Sequence, residues 1–281
     1  MAIQKVVVCG AGTMGSGIAQ VSATAGFNTV LYEVSETVLA KAQAAIKGSL
    51  RSAVQKGKLA ADREAAIFNS IIFSNDLEDC TGDLVIEAIV EIEDVKTTLF
   101  KSLAALNGGK AIIASNTSSL SISALASGIE HPERVAGLHF FNPAPLMKLV
   151  EVVKGKQTSG EVTEALLQFT KALGKTPVVC IDVPGFIVNR VARPYYIEAL
   201  RLAEENLSSF EKTDRLLQGL GFKLGPFQLM DLIGNDVNYA VSCSVYEQLG
   251  KPERLKPSVI QQEKVERGEY GRKTGKGYYE Y

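Results

Sequence analysis

The chain has 281 residues, of which 46% are hydrophobic and 22% are charged, so it is long enough for one or two globular domains with a sizeable core. A net charge of −1 argues against nucleic acid or an acidic membrane as the main partner, because both bind basic surfaces. Two histidines and four widely separated cysteines argue against a metal site and a disulfide framework, and the expected reduced thiols indicate a cytoplasmic protein.

Short apolar strands alternate with amphipathic helices along the first 182 residues. The predicted strands outside the segment 138–153 span 5–9, 28–33, 70–74, 83–89, 111–115 and 176–182. The first predicted helix ends at Gly26, and the others span 35–58, 92–106 and 160–174. This alternation is typical of βαβ units and of a parallel sheet. Because the first strand begins near residue 5 and no apolar run approaches the roughly 18 residues of a membrane span, we expect neither a signal peptide nor a membrane anchor.

The pattern changes at the sequence DVPG, near residues 183–185. Beyond it the sequence shows no convincing strand, only helical patterns interrupted by Gly and Pro at 186–206, 211–219 and 227–248. We therefore predict an α/β domain at 1–184, followed by an all-helical domain at 185–281.

A glycine-rich turn joins the first strand to the first helix. Gly10, Gly12 and Gly15 form G-x-G-x-x-G in the strand–turn–helix context that binds the pyrophosphate of a dinucleotide at a helix N-terminus. Glu33 ends the second strand, where a carboxylate accepts hydrogen bonds from ribose hydroxyls and repels a 2′-phosphate, so NAD is favoured over NADP. The alternative is a glycine-rich turn without a ligand. The residues assigned to cofactor binding here are Gly10, Gly12, Thr13, Met14, Gly15 and Glu33.

The segment 138–153, LHFFNPAPLMKLVEVV, places His139 and Glu151 in two apolar arms around a proline-rich turn. If the arms pair antiparallel about residue 145, the two side chains face each other with their Cβ atoms roughly 5 Å apart. An imidazole oriented by a carboxylate is a general base suited to removing the proton of an alcohol while a hydride leaves for NAD. The alternative is a structural His–Glu pair in a core.

Seven segments of the sequence carry a resemblance to a known family. They are GAGTMGSGIAQ, EAIVE, SNTSSLSI, GLHFFNPAPLMKLVEVV, DVPGFIVNR, GPFQLMDLIG and GRKTGKGYYEY. Together, in this order and from end to end, they resemble the 3-hydroxyacyl-CoA dehydrogenase family. The resemblance implies a Rossmann-like N-terminal domain, a helical C-terminal domain that forms a homodimer, and reversible NAD-dependent oxidation of (S)-3-hydroxyacyl-CoA, with 3-hydroxybutyryl-CoA expected, to 3-oxoacyl-CoA.

The resemblance also implies roles for individual residues. His139 matches the catalytic base and Glu151 its partner, while Ser118 and Asn189 match catalytic positions that also contact substrate. The positions that match cofactor contacts are Glu91, Lys96, Asn116, Ser118, Asn142 and Lys273. The positions that match contacts to the CoA moiety are Ser49 and Lys56. Each has an ordinary structural alternative, such as pairing of Lys96 with Glu91 or Asp94 on its helix.

Two other functions stay open at this point. A β-hydroxyacid dehydrogenase acting on a free acid would have similar domains, but it is expected to use a lysine base and an arginine for the carboxylate. A non-catalytic NAD-binding protein resembling a lens crystallin would not need His139, Glu151, Ser118 and Asn189. The sequence does not fix the length of the acyl chain.

Overall fold

The computed structural model describes residues 2–281, which fall into two units that divide between Asp182 and Val183. The first unit contains one eight-stranded sheet. Its strands are β1 (Lys5–Cys9), β2 (Asn28–Tyr32), β3 (Ile71–Ser74), β4 (Leu84–Glu87), β5 (Ile112–Ser115), β6 (Val135–Phe140), β7 (Leu149–Lys154) and β8 (Thr176–Ile181).

The strand order is β3-β2-β1-β4-β5-β6-β7-β8, and every neighbouring pair is parallel except β6 and β7. The order reverses between β1 and β4, which is the point where open α/β sheets bind ligands outside the carboxyl ends of their strands. Strands β4 and β5 are buried along their whole length, as expected for central parallel strands covered by helices on both faces. The predicted α/β class and Rossmann-like fold are confirmed.

Six helices accompany this sheet. They are α1 (Thr13–Thr24), α2 (Glu36–Gln55), α3 (Ala61–Asn69), α4 (Glu93–Leu106), α5 (Ile122–Leu125) and α6 (Gly160–Ala172). Ser35 caps α2 by accepting a hydrogen bond from the amide of Val38, and Gly26 follows α1 with φ +92°. Helix α3 was not predicted from the sequence. Asp62 and Glu64 in its first turn complement the positive end of the helix dipole.

The second unit is helical. Its helices are α7 (Val188–Glu204), α8 (Phe210–Gly219), α9 (Pro226–Ile233), α10 (Asn235–Gln248) and α11 (Val259–Glu266). The prediction of one helix over 227–248 is wrong, because Gly234 has φ +105° and separates α9 from α10. Helix α11 was not predicted, since only Gln261 is buried along it and the apolar spacing that reveals a helix is missing.

Each unit has its own apolar core. In the first, residues of the central strands pack against α1, α2 and α6, with Ile18, Ile46 and Leu166 among the most buried. In the second, Phe227, Met230 and Leu200 pack together in a separate cluster. Among residues 2–281, no helix is both long enough and apolar enough to span a membrane.

Candidate active site

The glycine turn between β1 and α1 is shaped by close backbone approaches. A Cβ at Gly15 would lie 1.7 Å from the carbonyl oxygen of Gly10, and a Cβ at Gly10 would lie 2.6 Å from that of Ala88. A Cβ at Gly12 would meet nothing within 4 Å, so this position faces open space. No side chain caps α1 at Gly12, which leaves the positive end of the helix directed at that space. These residues fit a bound dinucleotide pyrophosphate.

Glu33 lies beside the same turn. Its carboxylate accepts hydrogen bonds from the amide of Ala11 (3.0 Å) and from the amide of Ser35 (3.2 Å). A carboxylate has about four acceptor positions, so two remain for ribose hydroxyls. A cavity of about 420 Å³ opens at the turn and is lined by Gly12, Thr13 and other residues that include Lys41, a cation that the sequence analysis missed.

The His139–Glu151 pair has the predicted register. His139 on β6 lies directly opposite Glu151 on β7, and the imidazole Nδ1 lies 2.8 Å from the carboxylate Oε2. Both residues are buried, with exposed fractions of 3% and 1%. Because a carboxylate only accepts hydrogen bonds, Nδ1 is the donor, and Nε2 carries the lone pair on the other side of the ring.

Ser118 lies at that other side. Its hydroxyl oxygen is 3.0 Å from Nε2 of His139. Two hydrogen bonds therefore connect Glu151 to His139 and His139 to Ser118. Phe141 packs against the imidazole with a centroid separation of 4.5 Å. The arrangement holds the ring at both nitrogens and along one face.

Glu91 organises the backbone around Ser118. Its Oε1 accepts hydrogen bonds from the Thr117 hydroxyl (2.5 Å), the Ser118 amide (3.1 Å) and the Ser119 hydroxyl (2.9 Å), and its Oε2 lies 3.1 Å from the ammonium of Lys96. Burial alone would raise the pKa of Glu91, but the charge of Lys96 and the hydrogen bonds of Thr117 and Ser119 outweigh it and lower this pKa. Glu91 is therefore held as a carboxylate.

Glu87 is a functional candidate that the sequence analysis missed. It ends β4, and its carboxylate lies 2.5 Å from the ammonium of Lys96, with exposed fractions of 0% for Glu87 and 1% for Lys96. Its remaining acceptor positions take the hydroxyl of Ser115 (2.6 Å) and the amide of Ile89 (2.7 Å). Its only signal in the sequence is an acid at the end of an otherwise apolar strand. Lys96 thus pairs with Glu87 and Glu91, and not with Asp94.

Two asparagines follow the neighbouring strands β5 and β6. The side-chain oxygen of Asn116, directly after β5, accepts a hydrogen bond from the amide of Phe140 (2.9 Å) and so ties the end of β5 to the strand that carries His139. Asn142 is exposed and lines the cavity at the glycine turn together with Gly12.

Ser49 and Lys56 line a second cavity of about 630 Å³ in the first unit. Ser49 lines both cavities, so the two spaces adjoin each other on α2. The larger one is also lined by Lys58, Lys148 and Lys175. These lysines make the cavity basic. The sequence analysis did not identify Lys148 and Lys175 as part of such a site.

Asn189 and Lys273 belong to the second unit. Asn189 lies in the first turn of α7, where its main-chain carbonyl accepts a hydrogen bond from the guanidinium of Arg193 (3.0 Å). The ammonium of Lys273 lies 2.6 Å from the carboxylate of Asp236 and over the ring of Tyr270.

Comparison with family models identifies the chain. Residues 5–183 match the model described as 3-hydroxyacyl-CoA dehydrogenase, NAD binding domain, and residues 185–281 match 3-hydroxyacyl-CoA dehydrogenase, C-terminal domain. The chain belongs to the 3-hydroxyacyl-CoA dehydrogenase family. The predicted resemblance is confirmed, and membership places the chain in a family of NAD-binding oxidoreductases.

Members of this family similar to the chain include both longer and equally long proteins. A 3-hydroxyadipyl-CoA dehydrogenase of Escherichia coli is 48% identical over 99% of this chain, which spans 59% of that relative's length. A probable 3-hydroxybutyryl-CoA dehydrogenase of Deinococcus radiodurans is 40% identical over 99% of this chain and 100% of the relative. The crystal structure of (S)-3-hydroxybutyryl-CoA dehydrogenase from Ralstonia eutropha, 39% identical, superposes with a TM-score of 0.95 and covers 100% of this chain and 99% of that one.

Proposed function

We propose that the protein catalyses the reversible, NAD-dependent oxidation of (S)-3-hydroxyacyl-CoA, with 3-hydroxybutyryl-CoA as the expected substrate, to the 3-oxoacyl-CoA. The observation that carries this proposal is the buried His139–Glu151 pair, whose imidazole also contacts the half-buried Ser118, in a family member with an NAD-binding domain. The names of two relatives of nearly equal length, both 3-hydroxybutyryl-CoA dehydrogenases, support the short acyl chain.

His139 acts as the base and acid of this reaction. When the 3-hydroxyl group lies against Nε2, the imidazole takes the hydroxyl proton as the C3–H bond gives up its hydride, and in the reverse direction the imidazolium returns the proton. Bound NAD supplies the hydride acceptor. Glu151 stabilises the imidazolium that forms, because its carboxylate lies 2.8 Å from Nδ1 in a site shielded from water. Ser118, 3.0 Å from Nε2, offers a hydrogen bond to the same substrate oxygen.

Glu33 favours NADH over NADPH in this proposal. A 2′-phosphate would approach a carboxylate already fixed by two backbone amides, and the repulsion would not be relieved by a change of rotamer. Lys41 lines the neighbouring cavity and reduces the discrimination, so we expect a preference for NADH and residual use of NADPH. The remaining cofactor contacts are proposed for Glu91, Lys96, Asn116, Ser118, Asn142 and Lys273.

The basic cavity of the first unit is the proposed site for the phosphates of CoA. Lys56 and Ser49 line it on α2, and Lys148 adds positive charge from the segment that follows the β6–β7 turn. Asn189 is proposed to polarise a substrate oxygen through its amide.

The separate domains at 1–184 and 185–281 and the cytoplasmic location stay predictions, as does a homodimer formed through the helical domain. Exposed apolar side chains on that unit favour the homodimer, because such side chains are commonly buried against a second copy. They include Val191, Leu216, Leu220 and Phe222.

The two histidines provide a direct test. His139→Gln should lower kcat for the reduction of acetoacetyl-CoA by roughly 10²- to 10⁴-fold, because it removes the general acid, while NADH binding is unchanged. His131→Gln is the matched control, since His131 is exposed and paired with Glu133. NADH binding can be followed by its fluorescence, which benefits from the lack of tryptophan in the chain.

Two results would contradict the proposal. Turnover of free acetoacetate at a rate equal to that of its CoA ester would favour a free-acid dehydrogenase. NADH binding without turnover of any 3-oxoacyl-CoA would favour a non-catalytic binding protein.

A further inference from the structure

Lys175 is a buried lysine that no step of the proposed reaction uses. It lies between α6 and β8 and is 8% exposed, and among residues 2–281 no carboxylate forms an ion pair with it. Burial lowers the pKa of Lys175, and the charge of Lys148 lowers it further. A buried cation without an opposite charge is costly, so the contacts that its ammonium does make are informative.

The ammonium of Lys175 holds the β6–β7 turn, which comprises residues 141–148. It donates hydrogen bonds to the main-chain carbonyl oxygens of Ala144 (2.6 Å) and Met147 (2.7 Å). Inside the turn, the carbonyl of Pro143 accepts hydrogen bonds from the amides of Leu146 (2.9 Å) and Met147 (3.0 Å). Hydrogen bonds from a charged donor are roughly twice as strong as neutral ones, so Lys175 fixes two points of one short turn.

The β6–β7 turn forms a wall of both cavities in the first unit. Pro143 and Pro145 line the cavity at the glycine turn and also the basic cavity. Asn142, a proposed cofactor contact, lines the cavity at the glycine turn. Of the residues that the structure describes, Lys175 lines the basic cavity alone. An effect of Lys175 on the cofactor would therefore have to pass through the turn.

Helix α1 packs closely against the same turn. A Cβ at Gly17 would lie 3.1 Å from the Cβ of Ala144 and 3.2 Å from Cδ of Pro145. Ala144 is 2% exposed, so it has little space into which it can move. Because the Ala144 carbonyl is bound by Lys175, the position of this residue against α1 depends on the ammonium. The N-terminus of α1 is the end that faces the cavity at the glycine turn.

We propose that Lys175 is a positioning residue that fixes the β6–β7 turn as the common wall of the two cavities, and that it thereby raises the affinity for NADH without contacting NADH. The effect on NADH depends on the NAD-binding domain of the family, whereas the accompanying effect on acetoacetyl-CoA rests on the proposed function. Two sites coupled through one element typically change each other's affinity by about fivefold or more.

The test variant is Lys175→Met, which removes the charge and both hydrogen bonds and nearly keeps the volume of the side chain. Lys171→Met is the matched control, because Lys171 is an exposed lysine in the last turn of α6. Lys175→Gln is a second, less disruptive variant. Its side chain stays polar, but it is neutral and one bond shorter, so it cannot hold both carbonyl groups.

Three measurements separate positioning from a direct contact to CoA. In Lys175→Met we expect the NADH dissociation constant, measured without substrate, to rise about fivefold or more, and in Lys175→Gln at least about threefold. We expect KM to rise for acetoacetyl-CoA and also for acetoacetyl-pantetheine, which has no phosphate group. Hydrogen exchange of the peptide 141–149 should become faster, because its turn has lost two anchoring bonds. Lys171→Met should leave all of these values unchanged.

Contrary results are equally definite. An NADH dissociation constant within about twofold of the wild-type value in Lys175→Met would overturn the positioning role. If KM then rises for acetoacetyl-CoA alone, Lys175 is a ligand of the CoA phosphates, and if only the melting temperature falls, its role is structural. Weaker NADH binding with unchanged hydrogen exchange of the turn would overturn the proposal as well.

Two further outcomes are covered by the same design. If Lys175→Met does not fold, the NADH dissociation constant of Lys175→Gln decides by the same twofold limit. Failure of the wild-type protein to reduce acetoacetyl-CoA would overturn the proposed function instead. NADH binding and hydrogen exchange need no substrate, so they would still test the positioning role.

Discussion

Glu151→Gln tests the chemistry of the buried pair, because the substitution removes the charge of the side chain and nearly keeps its shape. Glutamine can still accept the Nδ1–H of His139 through its amide oxygen, so the tautomer of the ring is retained. What is lost is the attraction between a carboxylate and the imidazolium that forms during the reaction. At separations of about 4 Å and an effective dielectric constant of about 20, this attraction amounts to roughly 4 kcal/mol.

The remaining neutral hydrogen bond offsets about 1 kcal/mol of that loss. Since each 1.36 kcal/mol corresponds to a tenfold change in rate, we expect kcat to fall by roughly 10²- to 10³-fold. Steady-state reduction of acetoacetyl-CoA by NADH measures kcat and both KM values, and the NADH dissociation constant should change by less than about twofold. A kcat within about fivefold of the wild-type value would refute the reasoning, because a charge 2.8 Å from Nδ1 would then contribute nothing to the transition state.

Three further variants test the cofactor site, the proposed CoA cavity and the second unit. Glu33→Ala combined with Val34→Arg should shift the ratio of kcat/KM values from NADH toward NADPH, since Val34 is 74% exposed beside Glu33, and an unchanged ratio would contradict the ribose contact. Lys56→Glu should raise KM for acetoacetyl-CoA by about tenfold and leave kcat nearly constant. An unchanged KM would exclude the basic cavity as the site that binds CoA. Glu269→Gln should lower the melting temperature at neutral pH, because the hydrogen bond from Lys264 holds the pKa of Glu269 at about 2. That stabilisation is present above the ordinary value of 4.5 and is lost as the pH falls toward 2, so the difference from wild type should shrink over this range, and a constant difference would contradict the assignment.

The local geometry of the His139–Glu151 pair was predictable because both residues belong to one hairpin. In an antiparallel hairpin, opposed residues have a constant sum of residue numbers, and a register centred on the proline-rich turn, which the sequence analysis assumed, places His139 opposite Glu151. The glycine turn was predictable for a similar reason, since β1, the glycines and α1 follow one another directly along the chain. Both features depend on residues that are close to each other along the chain.

The partner of Lys96 was not predictable in the same way. Glu87 ends a strand and Lys96 lies on the following helix, and the turn between them sets their approach through backbone angles that apolar spacing does not specify. The break at Gly234 has the same origin, because the apolar pattern continues through a residue whose φ of +105° no helix contains. Lys175 illustrates a third case. Its ammonium donates hydrogen bonds to the main-chain carbonyl oxygens of Ala144 and Met147 at 2.6 and 2.7 Å. Because every residue has such a carbonyl, the sequence does not reveal these partners.

The imidazole of His139 is held from opposite sides by two side chains. The carboxylate of Glu151 lies 2.8 Å from Nδ1, and the hydroxyl of Ser118 lies 3.0 Å from Nε2. A ring held at both nitrogens has lost its rotational freedom before substrate arrives, so alignment of the base is completed during folding and adds nothing to the barrier of the reaction. The two contacts make different contributions, because the carboxylate of Glu151 supplies charge to the imidazolium, whereas the neutral hydroxyl of Ser118 does not.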